Sequence, residues 1–145
     1  MTAKKPNLVF FDSSIYINLL RYPKYERKIE TFLQGSYLHA ISKIVLMELW
    51  TGARTKIEEN ILIQLQKSFP PMTFSDDNFI FAGQVMHKIA DLHHFESQMR
   101  RRLTWDILIA LSARESNALL VTENESDFKK IQKYIDFEFV APNIQ

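Results

Sequence analysis

The chain has 145 residues, 46% of them hydrophobic, and 18 basic against 17 acidic side chains leave a formal net charge of +1. That size suits one domain over 1–145 with a buried core, and near-neutrality excludes nucleic-acid binding by bulk charge, leaving only local patches. The absence of cysteine excludes disulfides and thiolate metal sites. No run reaches the roughly 18 apolar residues of a membrane span, and the one opening at Asn7 stops at Asp12, too soon for a signal peptide, so the expectation is a cytoplasmic protein with no membrane association.

In chain order, Asn7 to Phe11 is a short unbroken apolar run that suits a strand buried on both faces. Ser13 or Ser14 can cap a helix with Ile15, Leu19 and Leu20 at helical spacing, ended by Tyr22 and Pro23. A second helix fits Lys24 to Gln34, closed by Gly35. Tyr37 to Ile41 reads as a strand, and Ser42 caps a helix carrying Val45, Leu46 and Leu49, with Gly52 near its end. Another helix fits Ile57 to Lys67, terminated by Pro70 and Pro71. A short strand near Met72 to Phe74 precedes a long helix opened by Asp76 or Asp77 and running to about His93. Thr104 can cap a helix through Arg114, with Asn117 taking the left-handed closing conformation. Ala118 to Val121 is the next strand, Ser126 starts a helix through Lys133, and Phe137 to Val140 is the last strand. Alternating strands and helices of this kind predict an α/β fold with a mostly parallel sheet covered on both faces. The strand order is not legible.

Four carboxylates carry the chemistry: Asp12 in LVFFDSSIYI, Glu48 in VLMELWTGA, Asp106 in TWDILIALSA and Asp127 in LLVTENESDF. Each lies inside or beside an apolar segment, where a charge is costly without a partner. In parallel sheets, ligands gather at the carboxyl ends of the strands, which is where Asp12 and the segment Thr122, Glu123, Asn124 fall. Acids forced together repel, and a bound divalent cation relieves that. Oxygen ligands alone select a hard ion, Mg²⁺ or Mn²⁺. Asp106, following Thr104, is expected in the first turn of a helix, where the macrodipole favours its ionised form. Glu48 is expected mid-helix among Val45, Leu49 and Trp50. Singly, each acid is also readable as an ordinary solvated side chain.

The successive motifs DSSIYI, ELWTGA, DILIALSA and LVTENESDF resemble those of the PIN-domain ribonucleases, and within them the VapC-type toxins of bacterial toxin–antitoxin pairs. The resemblance runs from Leu8 to about Phe128. It implies a three-layer α/β/α sandwich, an acidic pocket for Mg²⁺ or Mn²⁺, and endonucleolytic hydrolysis of RNA phosphodiester bonds. It further implies a cognate antitoxin and a homodimer. Carried over, Asp12, Glu48, Asp106 and Asp127 match the family's site acids, and Thr122 and Asn124 match polar positions that orient ligands or the attacking water. Asp12 and Asp106 would be the main ligands of one ion, with Glu48 direct or through water and Asp127 near a second; such a site supports metal-assisted hydrolysis. Two departures stand out. Ser116 and Asn117 replace a glycine common in the family, and Glu123 and Glu125 leave open which carboxylate is the fourth site acid.

Arg100, Arg101 and Arg102 form the densest basic run, readable as an RNA phosphate clamp or as a solvated segment. Lys4, Lys5, Lys129 and Lys130 read as plain surface charge. His93 and His94 are adjacent, so on a helix they diverge, and no HExxH spacing accompanies them. Phe79, Phe81, Tyr16 and Trp50 are core residues or part of a groove for an antitoxin helix. A second reading keeps the fold but not the activity, making the chain an inactive RNA- or partner-binding module. A phosphotransfer or dehalogenase-like enzyme with Asp12 as nucleophile wants an acid where Ser14 stands, and a receiver domain wants paired acids near the first strand.

Overall fold

The computed structural model describes residues 6–35, 37–93 and 97–142; Lys4, Lys5 and His94 lie outside them. Five strands, β1 (Leu8–Phe11), β2 (Leu38–Ser42), β3 (Pro71–Met72), β4 (Ala118–Val121) and β5 (Glu138–Val140), form one sheet in the order β3-β2-β1-β4-β5. Every pairing is parallel, with Leu8 opposite Leu38 on one side and Ala118 on the other. Val9, Phe10 and Phe11 are consecutive and all buried. Successive strand residues point to opposite faces, so both faces of the sheet are covered by helices, giving a three-layer α/β/α sandwich.

The helices are α1 (Ser13–Arg21), α2 (Glu30–Leu33), α3 (Lys43–Gly52), α4 (Lys56–Ser68), α5 (Asn78–His93), α6 (Ser97–Ser116) and α7 (Glu125–Gln132). Ser42 caps α3 by accepting from Ile44 N, as its position suggests. Asn117 takes φ 49°, closing α6 in the left-handed region, and Gly35, just past the end of α2, has φ 104°. Three expectations are corrected. The cap of α1 is Asp12, whose side chain accepts from Ser13 N. Lys24 to Gln34 is a 3-10 segment (Tyr25–Ile29) followed by the single turn of α2. Thr104 caps nothing: it lies inside α6 and its Oγ1 donates to Arg100 O, four residues back.

The core joins Phe10, Ile41 and Leu120 of the sheet to Ile15, Leu103, Ile107, Ile109 and Leu111. From Asp106 to Ala113 every residue of α6 is buried, so this helix is enclosed on all sides rather than laid on the surface. Truncating a side chain such as Phe10 to Ala would cost about 3–5 kcal/mol through lost transfer energy and the cavity left behind.

The chain builds the sheet outward from β1 to β2 and β3, then crosses to β4 and β5 on the other side of β1. The reversal falls between β1 and β4, where the connections leaving the two strands diverge and open a crevice at their carboxyl ends.

Candidate active site

Asp12 follows β1 and Thr122 follows β4, so both stand at this reversal. Asp12 N donates to Val121 O at 2.9 Å, and Thr122 N to Val140 O at 3.0 Å, extending the ladder to the crevice edge. The Asp12 carboxylate is 3% exposed and accepts from four donors. Oδ1 takes Ser13 N at 2.8 Å and Ser13 Oγ at 3.4 Å; Oδ2 takes Ser14 Oγ at 3.1 Å and Thr122 Oγ1 at 2.8 Å. Burial still pushes its pKa above the ordinary carboxylate value, against the pull of those hydrogen bonds.

Glu48 and Asp106 lie near enough to feel its charge, and Asp127 is joined to Asp106 through Asn124. Glu48, half-buried on α3, takes Ser13 Oγ on Oε2 at 3.5 Å. Its Oε1 is buried without a hydrogen-bond partner, which none of the other described side-chain oxygens and nitrogens is. Burial, then the charge of Asp12, pushes Glu48 up to about 7. Asp106 is 7% exposed and Asp127 6%, and Asn124 Nδ2 bridges them, donating to Asp106 Oδ2 at 3.0 Å and Asp127 Oδ2 at 3.1 Å. Asp106 is pushed up to about 8 by burial first, then by Asp12, Asp127 and Glu48, with Arg102 opposing. The expected helix-terminus stabilisation of Asp106 is thus corrected: it sits in the middle of a 20-residue helix, where the macrodipole has faded.

Thr122 and Asn124 both touch the acids. Thr122 Oγ1 also accepts from Asn124 N at 3.0 Å, fixing the β4–α7 turn that aims the amide. Of the arginines, Arg102 reaches the cluster, with Nε 3.4 Å from Asp127 Oδ2 on a side chain 61% exposed. Arg100 and Arg101 are exposed on the same helix. Glu123 turns away, taking Tyr25 OH at 2.6 Å and Lys28 Nζ at 3.2 Å on Oε1, and Glu125 is exposed. Of the aromatic residues, Tyr16 is buried, whereas Phe79 and Trp50 are exposed.

Some contacts are missing from the sequence reading. Lys130 Nζ lies 3.9 Å from Asp127 Oδ1, three residues on in α7, a neighbour that helical spacing would have flagged. The Ser13 and Ser14 hydroxyls serve Asp12 instead of capping, and the Tyr25–Glu123 pair, 98 residues apart, leaves no local signal.

As cation ligands, these residues offer hard oxygens on mutually repelling acids and one buried oxygen in want of a partner, which is a donor set suited to Mg²⁺ or Mn²⁺. Among the described residues no three such side chains are already gathered around one point.

The PIN domain family model matches residues 9–134. The chain belongs to the PIN domain family. No curated protein is detectably similar to it in sequence. Among solved structures, it is similar to a chain of VapBC2 from Rickettsia felis bound to a promoter DNA fragment, with TM-score 0.65 and 21% identity over 94% of this chain and 99% of that one. A chain of VapBC-1 from nontypeable Haemophilus influenzae aligns with TM-score 0.69 and 17% identity, covering 92% and 97%. FitAcB from Neisseria gonorrhoeae gives 0.63 and 18%, also over 92% and 97%. At these identities the likeness is one of fold, and this PIN-domain chain has it along almost its whole length. Among its described residues, no helix is long and apolar enough to cross a membrane.

Proposed function

We propose that this PIN-domain chain is a divalent-cation-dependent endoribonuclease and the toxin of a toxin–antitoxin pair, with 1–145 acting as one nuclease domain. The observation that carries the nuclease reading is the group of four buried or half-buried acids at the sheet reversal, two of them raised to about 7 and about 8 by burial first and then by neighbouring acids, Asp12 in both cases. Repulsion of this kind works against stability, and carboxylates perturbed in a crevice are the common setting of a catalytic site, which supports the reading.

In this reading Asp12, Asp106 and Glu48 hold the cation, and Asp127 completes the acid set. When bound, the cation supplies neutralisation of the acids and Lewis acidity toward water and phosphate oxygens. The chain's own groups do the rest. Thr122, Ser13 and Ser14 hold Asp12 in one orientation, and Asn124 fixes Asp106 and Asp127 relative to each other. Asp106 and Glu48 would have to be ionised to serve as ligands, because only the carboxylate form binds a cation. Arg102, exposed beside Asp127, offers its guanidinium to a phosphate of the approaching strand, with Arg100 and Arg101 extending the basic approach.

The partner reading rests on the VapBC and FitAcB complexes to which the fold is similar. An antitoxin helix would need an apolar face, and α4 offers one in Ile57 and Ile61, one turn apart and both exposed. A second copy of the chain is the other proposed partner.

The test is cleavage of a structured RNA pool by purified protein with Mg²⁺ or Mn²⁺, beside EDTA and Asp106→Asn controls. Cation-dependent cutting absent from the variant is expected. Folded, partner-free protein that leaves every RNA intact overturns the nuclease reading in favour of a binding module.

A further inference from the structure

The four acids do not account for a second polar network that touches the same crevice from behind. Glu123 stands between Thr122 and Asn124 in the β4–α7 turn, yet its carboxylate faces away from the acids. Its Oε1 accepts from Tyr25 OH at 2.6 Å and from Lys28 Nζ at 3.2 Å. Both donors belong to the 3-10 segment Tyr25–Ile29 that follows α1. The Tyr25 ring is buried, while the Glu123 and Lys28 side chains are each about a third exposed, and the 2.6 Å separation makes the hydroxyl–carboxylate hydrogen bond a short one. Lys28 also lies over the Tyr25 ring, 5.7 Å from its centre, so the three side chains lock one another.

From Glu123 the network runs to the acids by two routes. Its backbone N donates to Ser14 Oγ at 3.4 Å, and that hydroxyl donates to Asp12 Oδ2 at 3.1 Å. Along the chain, its neighbours are Thr122, which donates to Asp12, and Asn124, which bridges Asp106 and Asp127. The turn thus carries the Thr122 and Asn124 hydrogen bonds to three of the four acids while being tied at its midpoint to a segment almost a hundred residues earlier.

We propose that Glu123, held by Tyr25 and Lys28, is a positioning residue that latches the β4–α7 turn and so sets where Thr122 and Asn124 present their donors to Asp12, Asp106 and Asp127. Glu123 is therefore excluded as the fourth site acid: its carboxylate is committed to the latch. This role deepens the nuclease reading and rests on it for its consequence in catalysis, though not for the latch itself.

Tyr25→Phe removes one hydroxyl and keeps the ring, so the fold has little reason to fail; Lys28→Met is the second variant should it do so. Backbone amide exchange at Glu123 and Asn124 reads the latch directly, and Mn²⁺ binding by calorimetry reads its effect on the acids. The expected result is about tenfold less protection at both amides and about tenfold weaker Mn²⁺ binding, the lower end of the range for residues that orient a metal site from outside. RNA cleavage should fall in kcat with KM little changed, and Glu123→Gln, which can still accept from Tyr25, should restore most of what Glu123→Ala loses. Unchanged exchange at Glu123 and Asn124 in both the Tyr25 and Lys28 variants overturns the latch. A wild type that neither cuts RNA nor binds Mn²⁺ overturns the nuclease reading, while the exchange result still decides the latch.

Discussion

The carboxylates at the crevice fall into two electrostatic groups. Asp127 and Glu123 are each matched by basic side chains: Arg102 and Lys130 stand within 4.0 Å of the first, and Lys28 within that distance of the second. Asp106 and Glu48, a few residues of packing away, sit among acids and have their pKa pushed up to about 8 and about 7. The crevice therefore brings acids paired with the chain's own cations beside acids whose neighbours are mostly other acids, with Arg102 opposing them at Asp106. Internal pairing serves structure, whereas the unneutralised side is where external positive charge would be stabilised most.

The strongest way to break this contrast is to remove an acid from the unneutralised side. Asp106→Asn should lower RNA cleavage by about a thousandfold, equivalent to losing several kcal/mol of charge stabilisation in the transition state. The cation-free variant should meanwhile gain stability on the order of a few kcal/mol at pH 7.5, because a carboxyl whose ionisation the fold opposes is gone. Parallel cleavage assays and thermal melts would check both signs, and a variant that lost activity and stability together would mean that Asp106 is structural.

A second effect comes from pH and cation together. Between about pH 4 and about pH 8, Asp106 is protonated in the folded chain and ionised in the unfolded one, so unfolding releases a proton. Its contribution is complete below pH 4, is eroded through that window as pH rises, and is lost above pH 8. Glu48 acts in the same direction up to about pH 7. Cation-free protein should therefore lose stability as pH rises from 5 to 8. Mg²⁺ or Mn²⁺ at a hundred times its dissociation constant should restore about 2.7 kcal/mol at pH 8, roughly 8 °C in melting temperature for a chain of this length. At pH 5 the gain should be much smaller, since the ligands are then protonated. Melts at the two pH values with and without cation would show it.

Much of the contrast was invisible in the sequence, and the reasons are physical. Strand and helix placement was legible because unbroken apolar runs and caps such as Ser42 are local signals. The four acids were legible because each interrupts an apolar segment. The start of α6 was not: Arg100, Arg101 and Arg102 look like a loop, and Thr104 looks like a cap, but in the structure this stretch is continuous helix and Thr104 bonds back to Arg100. That error moved Asp106 from mid-helix to a helix end and reversed the sign expected for its ionisation. Lys24 to Gln34 has helical spacing, yet its first half winds as a 3-10 segment and brings Tyr25 and Lys28 to Glu123. Such pairings depend on strand order, which local pattern does not encode.

On the neutralised side the effects should be smaller. Arg102 is largely exposed, so its pair with Asp127 contributes at most about 1 kcal/mol, and Arg102→Ala should leave the melting temperature almost unchanged. Its larger effect should be on RNA: if the guanidinium meets a phosphate, the slope of log affinity against log salt should fall by about one. Binding to uncleaved RNA, measured in the Asp106→Asn background at several salt concentrations, separates this from catalysis. An unaltered slope would confine Arg102 to its contact with Asp127.

The smallest effect sharpens the assignment of the fourth acid. Asp127 and Glu125 lie two residues apart on α7, but one is buried against Asn124 and the other exposed. Two residues along a helix is about 200° of rotation, so the carboxylates cannot share the crevice without the helix turning over. Glu125→Gln should therefore change stability by no more than about 0.5 kcal/mol and leave cleavage at the wild-type rate. Asp127→Asn should do neither, since it removes the charge that Arg102 and Lys130 answer and leaves both cations facing an amide. A loss of activity in the Glu125 variant would place the working acid on the exposed side of α7 and put substrate, rather than the crevice, in contact with it.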